Sequence, residues 1–311
     1  MTETLRQTEV AEPTELAQID AGLELPPPER SLVTGRKRRF GFMFWLAVAF
    51  LVLLLFGAFF ANFLPINRYD ATFAGRAREG PTWEFPFGND NIGQDVFART
   101  IHGARVSLIV SGVATLIGVF FGGLIGLVTG YFRRTVDAVV TSMVDLVLAF
   151  PALILALAII LFFDSAGERR MFWLIVTLGL LSIPPIARIV RASVFTVADR
   201  EFVQSARLLG ARNGRIMFRE VLPNVVPAIL SYSLVFMAVL VVVESGIGFL
   251  GLSVPPPQPT WGDMINKGRN ELEIAAHIAL FPALVLFLTV LSLNYIGDKL
   301  RELFDVRESF L

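Results

Sequence analysis

Three residues, Asp145, Glu244 and His277, stand where chemistry could be done within or beside otherwise apolar stretches of this 311-residue chain. A carboxylate or imidazole in such a setting can relay a proton, hold a cation or pair with an arginine, and each role needs partners at suitable spacing. No His, Ser and Asp arrangement and no carboxylate pair at hydrolytic spacing accompanies them. The chain has no cysteine, which excludes disulfides, thiolate metal sites and a thiol nucleophile. No G-x-x-x-x-G-K-[ST] run occurs, so nothing here is built to cradle the phosphates of ATP. The densest polar chemistry lies between residues 188 and 220. There Arg188, Arg191, Arg200, Arg207, Arg212, Arg215 and Arg219 face only Asp199, Glu201 and Glu220.

The elements that must position these residues are hydrophobic. At 54% hydrophobic and 17% charged the chain departs from a soluble domain, which averages about 25% charged residues. Its 27 basic and 27 acidic residues balance, so no overall field recommends nucleic acid as a partner. A bilayer core takes roughly 20 apolar helical residues. Six stretches meet or approach that length: 40 to 67, 106 to 132, 138 to 163 with Asp145 inside, 171 to 187, 221 to 243, and 274 to 297 with His277 inside. The expected fold is an all-α integral membrane protein with six transmembrane helices.

The excess of lysine and arginine on one side sets the orientation. Arg36, Lys37, Arg38 and Arg39 precede the first span and Arg133 and Arg134 follow the second, which predicts cytoplasmic N- and C-termini. Residues 1–34, with seven acids against Arg6 and Arg30, read as a disordered acidic cytoplasmic tail. The first hydrophobic segment, within 35–67, reads as a retained span, since its apolar run is too long for a secretory signal. Residues 68–105 form an extracytoplasmic segment, with 94 to 103 lying along the outer surface and Trp83, Phe85 and Phe87 as interfacial anchors. The core, 106–297, carries an inner loop over 188–222 and an outer loop over 244–273, and 298–311 form a cytoplasmic tail.

The inner loop predicts two short amphipathic helices around a turn. Phe202, Ala206 and Leu209 recur at helical spacing, Gly210 permits the positive φ that ends a helix, and Arg212, Arg215 and Arg219 share a face of the second helix. Two readings stand: a basic loop on anionic lipid, or a docking surface with apolar knobs for a groove and arginines for its acidic rim. Asp145 reads as a pathway residue meeting a peptide amine or as a packing partner for Arg188 or Arg191, and its nearness to the cytoplasmic end favours packing. Glu244 reads as a cap ending the fifth span or as part of the outer mouth.

Gln204-Ser205-Ala206, then Gly210, then Leu222-Pro223 have the spacing of E-A-A-x3-G-x9-I-x-L-P, with Gln204 for its Glu, Ser205 for its first Ala and Glu220 for its Ile, and the loop resembles the cytoplasmic loop of ABC importer permeases. Phe87-Gly88-Asn89-Asp90 through Asp95-Val96, continuing to Gly103-Ala104-Arg105-Val106-Ser107-Leu108, is similar to a run in the dipeptide, oligopeptide and nickel importer branch. So is Gly248-Phe249-Leu250-Gly251-Leu252 with Pro255-Pro256, Pro259 and Trp261-Gly262. Asn294 to Asp298 and Asp305-Val306-Arg307 resemble that branch's ending, with Val306 where it has Pro.

The resemblance implies a type I ABC importer permease in the plasma (inner) membrane that translocates di- or oligopeptides inward by alternating access. It implies a sister permease as heterodimer partner, two ATPase subunits holding ATP and Mg2+, an extracytoplasmic substrate-binding protein, membrane lipid and a peptide substrate. This chain would bind no cofactor or metal and hydrolyse nothing. Phe202 to Pro223 would couple the ATPases to the spans. A secondary transporter would need more ionisable residues within the spans, and a non-transporting membrane scaffold would leave the loop as an ordinary lipid-facing one.

Overall fold

In the computed structural model of the protein the described residues are 41–164 and 166–308, without the side chains of 134–136 and 305–308. The acidic tail, the basic cluster at Arg36 to Arg39 and the side chains of Asp305, Val306 and Arg307 lie outside them. Among the described residues there is no strand; Thr72 with Gln94 and Asn89 with Asp95 form isolated bridges.

The helices run α1 (Phe42–Phe60), α2 (Val96–Ile117), α3 (Gly123–Phe132), α4 (Arg134–Leu148), α5 (Ala152–Phe163), α6 (Arg170–Ala198), α7 (Glu201–Leu208), α8 (Asn213–Ile216), α9 (Leu222–Ile247), α10 (Trp261–Gly268), α11 (Leu272–Ala275) and α12 (His277–Glu308). Wide π turns at Gly118–Gly122 and Met217–Val221 join α2 to α3 and α8 to α9, and a third at Gly248–Leu252 ends α9. Five rods are long and apolar enough to cross a membrane, six if the bent pair α4 and α5 counts as one span.

Several boundaries differ from the sequence expectation. Residues 138 to 163 are two helices bent by 80°, because Pro151 offers no N–H and restricts Phe150 before it. The outer piece at 94 to 103 is not a separate surface helix. Asp95 caps α2 directly, accepting from the backbone N–H of Phe97 at 2.8 Å and Ala98 at 3.2 Å, so the rod starts at Val96. Helix α6 passes through Pro184 and Pro185 to Ala198, and α8 begins at Asn213, which shortens the non-helical part of the inner loop. The fifth rod runs past Glu244 to Leu252, and the last continues to Glu308 where a tail was expected.

Packing is tightest between α2–α3 and α6. Gly118, Gly122, Gly126 and Gly130 fall one turn apart and face Ser182, Ile186, Ala187, Val190 and Val194. A Cβ on Gly126 would sit 2.6 Å from the Ala187 carbonyl oxygen and 2.7 Å from Val190 Cβ, so only hydrogen fits there. Close backbone approach through small residues is how helices gain dispersion energy where lipid supplies no hydrophobic drive. The outer segment is clasped to the bundle. Phe87 stacks on Phe281 with ring centroids 4.3 Å apart, the Asn89 carbonyl oxygen lies 3.1 Å from His277 Nε2, and Arg78 donates twice to Glu271 at 2.7 and 3.0 Å.

Two measurements test this account. Gly126→Val forces a side chain against backbone and should lower the thermal midpoint in detergent by an amount equivalent to about 1–3 kcal/mol, the usual cost of overpacking. Gly123→Ala, whose Cβ meets nothing within 4 Å, should leave it level or raise it; equal losses in both would refute the close approach. The Arg78 hydrogen bonds hold the Glu271 carboxyl below its ordinary 4.5. The clasp is therefore complete at neutral pH and lost only as pH falls below 4.5 through the lowered value. Hydrogen exchange around residue 78 should stay flat from pH 8 to about 5 after correction for intrinsic rates. A rise already within that window would exclude the pair as the clasp.

Candidate functional site

The inner elbow is built by α7, the turn at Leu209 to Arg212, and α8. Arg200 and Arg212, both extended, precede the two helices. The turn closes by hydrogen bonds from Leu209 N–H to the Ser205 carbonyl, Gly210 N–H to Arg207 and Ala211 N–H to Ala206, at 3.0 to 3.1 Å. Gly210 has φ +79° with open space where a Cβ would go. Its glycine is therefore required by the backbone angle, not by crowding.

One face of the elbow is bolted to the bundle. Val203, Ile216 and Val221 are fully buried and Met217 nearly so, in a cluster with Leu127, Val190, Val194 and Val225; Ala206 and Leu222 pack against it. Tyr131 donates its hydroxyl to Asn213 Oδ1 at 3.1 Å, and Arg207 lies over the Tyr131 ring at 5.2 Å. Gln204 donates to the Asp199 carbonyl at 3.0 Å, and Arg133 pairs with the Asp199 carboxylate at 2.8 Å. The opposite face is bare: Leu208 and Leu209 are 89% and 88% exposed, and Phe202 39%. Arg212, Arg215 and Arg219 are exposed, as is Pro223 in the first turn of α9. Of the expected stripe Phe202, Ala206 and Leu209, only Ala206 turns inward. Val203 and Ile216 are the anchors that sequence reading missed, although their apolar character beside the arginines was the available signal.

Above the elbow two ion pairs tie α4 to α6. Arg188 donates to Asp145 Oδ1 at 2.5 Å, and Arg191 grips both oxygens of Asp137, with its second nitrogen at 2.6 Å. Asp137, overlooked in the sequence, lies one helix face away from Arg191 and is as much part of this fastening as Asp145.

Glu244 is neither a cap nor a mouth residue in this conformation. The rod continues beyond it, and the side chain is 1% exposed. The Ser245 hydroxyl donates to its Oε2 at 3.3 Å, whereas Oε1 and the hydroxyl of neighbouring Ser107 lack partners among the described residues. Next to Glu244 α10 crosses at backbone contact, Gly262 lying against the Ser245 backbone. No group of three or more metal-binding side chains occurs among the described residues.

An all-helical bundle with an anchored inner elbow matches known proteins over the same residues. Residues 122–309, which include the elbow, match the family described as binding-protein-dependent transport system inner membrane component. The chain belongs to that family. The permease is 35% identical over 257 residues to the glutathione transport system permease protein GsiD of Pectobacterium atrosepticum, covering 82% of this chain and 84% of that one. It is 34% identical to the dipeptide transport system permease protein DppC of Alkalihalophilus pseudofirmus, over 80% of each. A putative peptide permease of Brucella suis is 38% identical over 73% of this chain and 74% of its own length. Among solved structures, an inward-facing MetNI methionine ABC transporter aligns with TM-score 0.56 at 18% identity, covering 66% of this permease and 95% of the matched chain. That likeness speaks for the fold. As a membrane-embedded family member, the permease supplies the passage of a transport system.

Gly210→Val should therefore disturb the permease at the turn alone. A β-branched side chain at φ +79° is strained, whereas Gly210→Asn tolerates that angle. In the full chain, Val should speed proteolysis at 207 to 213 and Asn should not; equal rates would show that the angle does not hold the elbow.

Proposed function

We propose that this chain is one of two permeases in an ATP-driven importer that moves peptides, including glutathione-like ones, inward. The observation that carries the reading is the two-faced elbow: buried Val203 and Ile216 on one side, bare Phe202, Leu208 and Leu209 with Arg212 and Arg215 on the other. A surface of that composition fits a groove with an acidic rim on a cytoplasmic ATPase. Because the anchored face leads directly into α6 and α9, a push on the bare face displaces the spans instead of being absorbed by loose chain.

The rest of the assembly follows from the division of labour. The chain lacks a phosphate-binding loop, so ATP and Mg2+ belong on two partner ATPases. The relatives' names supply the peptide class. A sister permease completes the passage, and an extracytoplasmic binding protein loads it across the segment clasped by Arg78 and Glu271. The arginine excess at the elbow supports a cytoplasmic side for it, and with it cytoplasmic termini.

Two outcomes test this proposal. Gly210→Val should insert normally yet cut peptide uptake by about tenfold and loosen co-purification of the ATPase, with Gly210→Asn near normal, the strained turn costing about 1–2 kcal/mol. Normal uptake in the Val variant would remove the elbow from coupling. The purified chain without partners should show no ATP turnover, and measurable hydrolysis would contradict the assignment of ATP to other subunits.

A further inference from the structure

Glu244 needs an account that packing alone does not give. Its side chain is 1% exposed, and Ser107 of α2, which lies beside it, is fully buried. This chain alone makes the enclosure, so neither lipid nor a neighbouring subunit reaches the carboxyl in this conformation. Among the described residues no arginine, lysine or histidine acts on it. An ionised carboxylate there would be a net charge sealed in a medium of low dielectric constant, where such a group takes up a proton instead of staying bare.

Ser107 supplies the second observation. Along α2 the hydroxyls of Thr100, Ser111 and Thr115 each donate to the carbonyl four residues back, the ordinary arrangement for a hydroxyl inside a helix. Ser107 lies in the same row but makes no such bond. Its Oγ is left without a partner next to the equally unpartnered Oε1 of Glu244. A hydroxyl turned from its own helix toward a carboxyl can both give and take a hydrogen bond, whereas an ionised carboxylate can only accept. A carboxylic acid answers the hydroxyl in both directions.

We infer that Glu244 is a neutral carboxylic acid whose Oε1 donates to Ser107 Oγ, a one-proton latch that joins α9 to α2. The ligand of the site is a proton, taken up from water by the carboxylate as the helices close over it, and no other reactant is needed. The Ser245 hydroxyl, donating to Oε2 at 3.3 Å, serves the carbonyl oxygen of the acid. The latch brings no net charge into the span, and it is made where no water competes for either partner. Glu244 lies on the rod from Asn213 to Leu252, so the latch ties that rod to α2 between its ends. The inference holds for the chain by itself and does not rest on the importer reading.

Infrared spectra of the full chain in detergent at neutral pH test the latch. Exposed aspartates and glutamates are ionised there, so the carbonyl band of an undissociated acid reports a sealed one. The wild-type chain should show that band and Glu244→Gln should lose it entirely. Ser107→Ala, which removes the acceptor, should keep the band and shift it. Loss of an ionised carboxylate band in E244Q instead, or an acid band that S107A leaves unmoved, would overturn the latch. Glutamine offers Ser107 an N–H in place of the O–H, so the thermal midpoint of E244Q should match that of the wild-type chain, whereas E244A should lower it by about 5 °C. Equal losses in the two would also overturn it. Should a variant fail to fold, isotopic labelling of the glutamate carboxyls in the wild-type chain isolates the acid band, and its absence would overturn the proposal.

Discussion

The closeness of α2–α3 to α6 is the constraint on which the remaining geometry depends. With hydrogen at Gly118, Gly122, Gly126 and Gly130, the two helices approach closely over about three turns, and the contact fixes both the rotation and the height of α6. That rotation turns Ala187, Val190 and Val194 toward the glycines and Arg188 and Arg191 onto the neighbouring stripe, where α4 crosses. The same contact sets where α6 ends and therefore where the elbow begins. A bulkier residue at any of the four positions would shift charges and elbow together. In lipid, where apolar surface has no water to escape, contact of this kind has to substitute for the hydrophobic effect.

Charge inside the bundle is handled in two ways. Pairs are used between α4 and α6, one half-exposed at Asp145 and one more covered at Asp137. At Glu244 the carboxyl is sealed away instead, inside the bundle beside Ser107 of α2, with Ser245 as its hydrogen-bond donor and no cation within salt-bridge distance among the described residues. α10 meets the Ser245 backbone through Gly262, whereas Val139, Met143 and Leu146 of α4 stay exposed among the described residues.

Much of the fold was legible in the sequence because long uncharged runs have few alternatives to membrane helices. The turn at Gly210 was legible for a similar reason, since a glycine between two amphipathic stretches has a specific backbone use. Boundaries were less readable. Glu244 looked like the end of a span because a lone charge carries no mark of what will lie against it, and its neighbour Ser107 is distant in sequence. Asp137 was missed because it sits at the edge of an apolar run, where acids are ordinary, and its partner Arg191 is distant in sequence. The four-residue glycine spacing was visible throughout, but only the parallel course of α6 gives it a meaning.

The continuous rod from Asn213 to Leu252 begins at the elbow and finishes against α10 on the far side. Forty helical residues measure about 60 Å. A single beam with a contact surface at each end ties the two ends thermodynamically. Whatever free energy one visitor gains by favouring a given tilt must reappear, equal and of the same sign, in the affinity of the other. On the proposed function, occupancy at the outer mouth would set the grip at the inner one as surely as the reverse, without a relay of intermediate side chains.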